Sequence, residues 1–122
     1  MTNLLAREKW QIKTIAILER VFEERVRQVA QYGHNDDLED GTGPNVEWLW
    51  PVSDLNATEA EADFRAEYER YEQAKDRPTW MHLVREELAE SFAESDPERL
   101  SEELLQVAAL CVSWVESLEK RS

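Results

Sequence analysis

TWMHLVREELAESFAESDPERLSEELLQVAALCVSWVESL, residues 79–118, reads as two helices and the bend between them. Trp80, Leu83, Val84, Leu88 and Phe92 recur every three or four residues, the period of a helix with one apolar stripe. Ser95-Asp96-Pro97-Glu98 then breaks the pattern. Ser95 or Asp96 can cap a new helix, and Pro97 suits its first turn, where the missing N–H has no partner to lose. The second helix is expected from about Pro97 to Leu118. Each helix carries an i, i+3 pair: Glu87 with Glu90, and Glu103 with Gln106. Residues three apart project from one face, so antiparallel packing of the two helices would converge four oxygen-bearing side chains on one point. Hard divalent cations favour such a cage. Mg²⁺ takes oxygen ligands at about 2.0–2.1 Å and completes its shell with water and substrate phosphate.

Toward the N-terminus, residues 3 to 32 contain no Gly or Pro, and Ile12, Ile15, Leu18, Phe22, Val26 and Val29 repeat at helical spacing beside a charged face. This predicts a long first helix, with Gly33 as its stop. Residues 33–56 are rich in turn formers around Trp48, Leu49 and Trp50, which predicts a long irregular loop anchored by aromatic residues. Such loops tend to be functional or mobile. Residues 57–76 again read as helix, with Ala62, Phe64, Ala66, Tyr68 and Tyr71 on a narrow apolar face, so a partly docked helical insertion is expected. The fold class is therefore all-α: one domain over residues 1–122, a bundle of about four helices. In the last helix Val107, Ala108, Ala109, Leu110, Cys111, Val112, Trp114 and Val115 make the surface apolar nearly all round. A helix of that kind is buried on more than one side. Four helices of a 122-residue monomer do not cover it, which predicts a homo-oligomer, dimer or tetramer, through the C-terminal helix.

Composition excludes several classes. The net charge is −13, with 27 acidic against 14 basic residues. Residues 34–76 alone hold thirteen acidic and three basic groups. Contact with a nucleic-acid backbone relies on clustered Lys and Arg, so no binding to nucleic-acid polymer is expected. No stretch approaches the roughly 20 apolar residues of a membrane span. Arg7, Glu8 and Lys9 follow too few apolar residues for a signal peptide. The one cysteine, Cys111, sits in an apolar run where a buried, inert thiol is expected, and all of this suits the cytoplasm. No Ser or Cys has a recognisable His partner, and His34 and His82 read as lone polar groups.

Glu86-Glu87-x-x-Glu90, twelve residues, then Glu103-x-x-Gln106 resembles the E-E-x-x-E, spacer, E-x-x-D signature of the MazG-like all-α nucleoside triphosphate pyrophosphohydrolases. Glu24-Arg25-Val26-Arg27-Gln28 followed by Tyr32-Gly33 is similar to the E-R-x-x-Q and Gly element of phage and actinobacterial members. The likeness spans roughly residues 20–34 and 79–118; residues 35–78 match nothing in the family. It implies hydrolysis of a nucleoside triphosphate between its α- and β-phosphates, giving the monophosphate and pyrophosphate, with Mg²⁺ or Mn²⁺ as cofactor. By position, Glu87, Glu90 and Glu103 would be metal ligands. Gln106 stands where the family has Asp. It still offers a carbonyl oxygen but removes one negative charge, so weaker cation binding is expected. Glu86, about 100° round the helix from Glu87, is a catalytic candidate for holding water or a neighbouring side chain, and Glu87 or Glu90 could equally orient the attacking water. Arg25, Arg27 and Gln28 are candidates for phosphate or base, and Trp48, Trp50 or Trp80 for stacking on the base. A non-catalytic alternative stands beside this: a degenerate nucleotide-binding relative, or an acidic helical module that meets a basic partner.

Overall fold

A computed structural model describes residues 7–34, 37–45, 56–73 and 78–121. Within them the chain forms four helices and no strand: α1 (Lys9–Tyr32), α2 (Ala57–Gln73), α3 (Trp80–Ala93) and α4 (Pro97–Arg121). Among these elements α2 packs on α3, α3 on α4 and α4 on α1, and no other pair meets. The helices thus stand in an open row, α2–α3–α4–α1.

Local chemistry sets the helix ends. α1 starts at Lys9, later than the expected residue 3. Residues 3–6 lie outside the described residues, while Glu8 is extended and its backbone N–H donates to Gln11 Oε1 at 2.7 Å. The helix stops at Gly33, whose φ of +78° lets its N–H close on the Val29 carbonyl at 2.9 Å. Asn56 caps α2 through its side chain, which accepts from the Glu59 N–H at 2.9 Å. Asp96 does the same for α4, accepting from the Arg99 N–H at 3.1 Å. α4 runs three residues past Leu118, with Lys120 and Arg121 in the last turn complementing the helix dipole.

Thr79 caps α3: its hydroxyl accepts from the His82 N–H, and its own N–H donates to His82 Nδ1. Two more N–H groups of this helix start are met by the loop before α2. Trp80 N donates to the Glu39 carbonyl at 2.9 Å and Met81 N to the Asp40 carbonyl at 3.1 Å. The Asp40 side chain then accepts from Trp114 Nε1 at 2.8 Å and from Arg121 at 2.7 Å. Those two donors, Arg121 first, hold its carboxyl below the usual range. The loop is therefore a strap from the start of α3 to the end of α4, fastened by Asp40 and by buried Leu38. Trp48, Leu49 and Trp50, expected to be its anchors, lie outside the described residues.

The insertion is docked along α3. Ala60 and Phe64 are buried, Arg85 lies over the Phe64 ring at 4.1 Å from its centroid, and Arg85 also pairs with Glu67. Ala62 and Ala66 face outward. Residues 74–76, expected to be its end, and the Tyr71 side chain lie outside the described residues.

The apolar stripe of α1 departs from expectation. Ile15 and Val29 are half-buried, but Ile12, Leu18, Phe22 and Val26 are exposed, Phe22 by 68%. The buried side chains are Val21, Arg25 and Gln28. The reason is the open row: among the described helices α1 has a single neighbour, α4. Cys111 is likewise exposed rather than buried, because α1 and α3, the helices that pack on α4 among the described residues, leave it uncovered. No helix among the described residues is long and apolar enough to cross a membrane.

Gly41 is where the strap has least tolerance. Its φ is +76°, and a Cβ there would collide with Oγ1 and Cβ of Thr79. Gly41→Ala is expected to destabilise the fold by about 1–3 kcal/mol, measured by urea unfolding. An unchanged midpoint would show that the strap does not hold α3.

Candidate metal centre

Glu87 and Glu90 rise from the middle of α3, and Glu103 comes from the second turn of α4. Packing of the two helices brings one oxygen of each carboxylate within 4.8 Å of the others. None is fully exposed. Oε2 of Glu87 and Oε2 of Glu103 are buried with no hydrogen-bond partner.

Such an arrangement is electrostatically strained. Burial first, then the charges of Glu90 and Glu103, push the Glu87 carboxyl up to about 8. Burial and Glu90 raise Glu103 too. Without a cation, the cluster meets its own repulsion by retaining a proton near neutral pH. A divalent cation would relieve the same repulsion and give the two orphaned oxygens a partner. The donor set is all oxygen, so the residues fit Mg²⁺ or Mn²⁺.

The cluster borders a pocket of about 420 Å³. Glu86, Glu87 and Glu90 line it from α3, and Gln106 from α4. Across from them stand Arg25, Arg27 and Gln28 of α1. Eight of the eleven residues pointed to by the sequence thus share one cavity, Trp80 among them, and Glu103 joins it through the carboxylate cluster.

Their surroundings differ. Arg25 is buried and paired with Glu116 at 2.9 Å, so it ties α1 to α4. Arg27 is exposed and held by Glu24 and by Gln31. Gln28 donates to the backbone carbonyl of Gln106 at 3.3 Å, joining α1 to α4 directly, while its own Oε1 is buried without a partner. Trp80 is 1% exposed and stacked on Trp114, with centroids 6.5 Å apart and planes at 12°. It is a wall of the pocket rather than an open platform for a base, because its ring is already covered. Trp48 and Trp50 lie outside the described residues. His82 is spoken for by the α3 cap and by Glu67.

Two contributors from α2 gave no signal of a site in the sequence. Tyr68 lines the pocket, and Arg65 sits 3.7 Å from Glu90 Oε1. Compared with known protein families, with characterised proteins and with solved structures, the chain finds no match.

The raised Glu87 carboxyl makes a test in the cation-free state. The folded protein holds a proton that the unfolded chain releases between pH 4.5 and about 8. Stability therefore falls as pH rises through that window. After chelation, the thermal midpoint is expected to drop from about pH 5 to about pH 8, and Glu87→Gln to flatten that slope. Mn²⁺ added at the upper end should restore the midpoint. A flat profile in the parent protein would show that the carboxylates do not repel one another.

Proposed function

We propose that this chain is a metal-dependent nucleoside triphosphate pyrophosphohydrolase of the MazG-like kind, converting a (d)NTP to a (d)NMP and pyrophosphate. The observation that carries the proposal is the convergence of Glu87, Glu90 and Glu103 at the edge of a pocket whose far wall holds Arg27 and Gln28.

Glu87, Glu90 and Glu103 would hold the cation, with the Gln106 carbonyl as a neutral fourth donor. When bound, Mg²⁺ or Mn²⁺ supplies neutralisation of phosphate charge and makes water a better nucleophile. The chain's own groups do the rest. Arg27 presents positive charge to the polyphosphate from the α1 side of the pocket. Arg25, committed to Glu116, keeps that wall in place. Glu86 lines the same cavity one position from Glu87 and is placed to orient the attacking water or accept its proton. Attack at the α-phosphorus breaks its bond to the bridging oxygen, and pyrophosphate leaves.

Gln106 favours a second reading, a relative that binds nucleotide without turning it over, since one fewer carboxylate weakens the hold on the cation. The two readings separate in one assay. Purified protein with Mg²⁺ or Mn²⁺ is expected to release pyrophosphate from members of a nucleotide panel. Glu87→Gln and Glu103→Gln should each lower the rate roughly 100-fold or more, the upper end of what loss of a ligand's supporting partner does. Gln106→Asp should tighten Mn²⁺ binding. Saturable nucleotide binding with no pyrophosphate from any member would establish the non-catalytic reading.

The apolar side chains left open on α1 and α4 support a homo-oligomer, with the interface extending from the C-terminal helix onto α1. Phe22 and Val115, 68% and 52% exposed, mark its two halves. The double change Phe22→Glu and Val115→Glu is expected to give a folded monomer by light scattering. Identical mass for parent and variant would remove this interface.

A further inference from the structure

We propose that Arg65 positions Glu90 for cation binding, which makes α2 part of the metal centre; this rests on Glu87, Glu90 and Glu103 being cation ligands. Arg65 Nη2 lies 3.7 Å from Glu90 Oε1 and also pairs with Glu61, one turn back on α2. Glu61 tethers the guanidinium, so the side chain reaching α3 is not free to swing. Glu90 lines the pocket, whereas Arg65 stands outside its lining. The contact therefore reaches Glu90 from a residue that does not itself line the cavity, while an oxygen of Glu90 stays within 4.8 Å of Glu87 and Glu103.

α2 is itself placed firmly enough to act this way. Phe64, next to Arg65, is buried beneath Arg85, and Glu67 grips Arg85 from the same helix. Arg65 is about half exposed, and an ion pair in that setting adds little to stability. Its effect falls on the ligand it orients. Partners that orient metal ligands commonly change affinity by about 10–100-fold when removed.

Charge alone predicts the opposite sign. Deleting a cation beside a cation site should tighten binding, because a like charge is lost. Geometry predicts weakening, because Glu90 is left to wander. Mn²⁺ titration of the full chain, read by the electron paramagnetic resonance of free Mn²⁺, decides between them. Arg65→Gln is expected to weaken binding about 10–100-fold with the thermal midpoint nearly unchanged, and Arg65→Lys to recover part of the loss. In a Glu90→Gln background, Arg65→Gln should cause no further loss, since the residue it acts through is gone. Equal or tighter binding by Arg65→Gln in the parent background would overturn the proposal, as would an undiminished effect in the Glu90→Gln background. Absence of Mn²⁺ binding by the parent protein would instead remove the ligand assignment, and this inference with it.

Discussion

Three carboxylates held within 4.8 Å of one another, partly shielded from water, form the constraint around which the rest of this chain is arranged. Like charges at that separation repel strongly wherever water does not screen them. Left alone, the helices bearing them would slide or splay. That they stay together means other contacts pin α3 against α4. The bend at Asp96 and the Asp40 strap both serve that end. The strap is the more economical of the two: one carboxylate accepts from Trp114 and Arg121 while its backbone carbonyl meets the first turn of α3. The stacked Trp80 and Trp114 rings fill the space beneath it.

A scaffold built this way spends its apolar contacts on register rather than on closure. Beside Trp80 and Arg85, the buried side chains of α3 and α4 are small ones, Ala89, Ser91, Ala109, Ser113 and Ser117, which lets the helices approach closely. The large ones, Leu18, Phe22, Val26, Val112 and Val115, are left outside on α1 and α4. Leu18, Phe22, Val26 and Val112 line a second groove of about 460 Å³, and it shares Arg25 and His34 with the polar pocket. Arg25 is thus a common wall, with Glu116 on the apolar side and Gln28 one helical turn away on the polar side. What covers the groove and what enters the pocket would press on the same guanidinium.

Much of this was legible in the sequence, and for a definite reason: caps and i, i+3 pairs are local. Gly33, Asp96 and the i, i+3 pair Glu87 and Glu90 depend on a few neighbouring residues, so spacing located them, and Glu103 follows once the bend at Asp96 folds α4 back on α3. Burial is not local. The stripe from Ile12 to Val29 has the period of a core-facing surface, yet only a neighbour decides whether it faces a core, and α1 has one neighbour among the described helices. Cys111 fails to be buried for the same reason. Arg25 and Gln28 were noticed for their likeness to a motif, but their burial required knowing that α4 presents Glu116 and the Gln106 carbonyl opposite them. Arg65 gave no signal, because an acidic helix with two Arg among many Glu does not reveal which Glu of another helix either will meet, and Tyr68 read only as part of an apolar face.

Gln106 is best understood beside Arg65. The three carboxylates repel one another enough to raise Glu87 and Glu103, and an Asp at position 106 would bring a further negative charge into the same pocket, whereas Gln brings an oxygen and no charge. Arg65 offsets part of the charge of Glu90, shared with that of Glu61. Seen electrostatically, Gln106 and Arg65 act in the same direction, each limiting the negative charge at a cluster that α3 and α4 already hold together against its own repulsion. Were the cluster to hold a cation, as proposed above, a neutral donor at position 106 would leave that repulsion no larger.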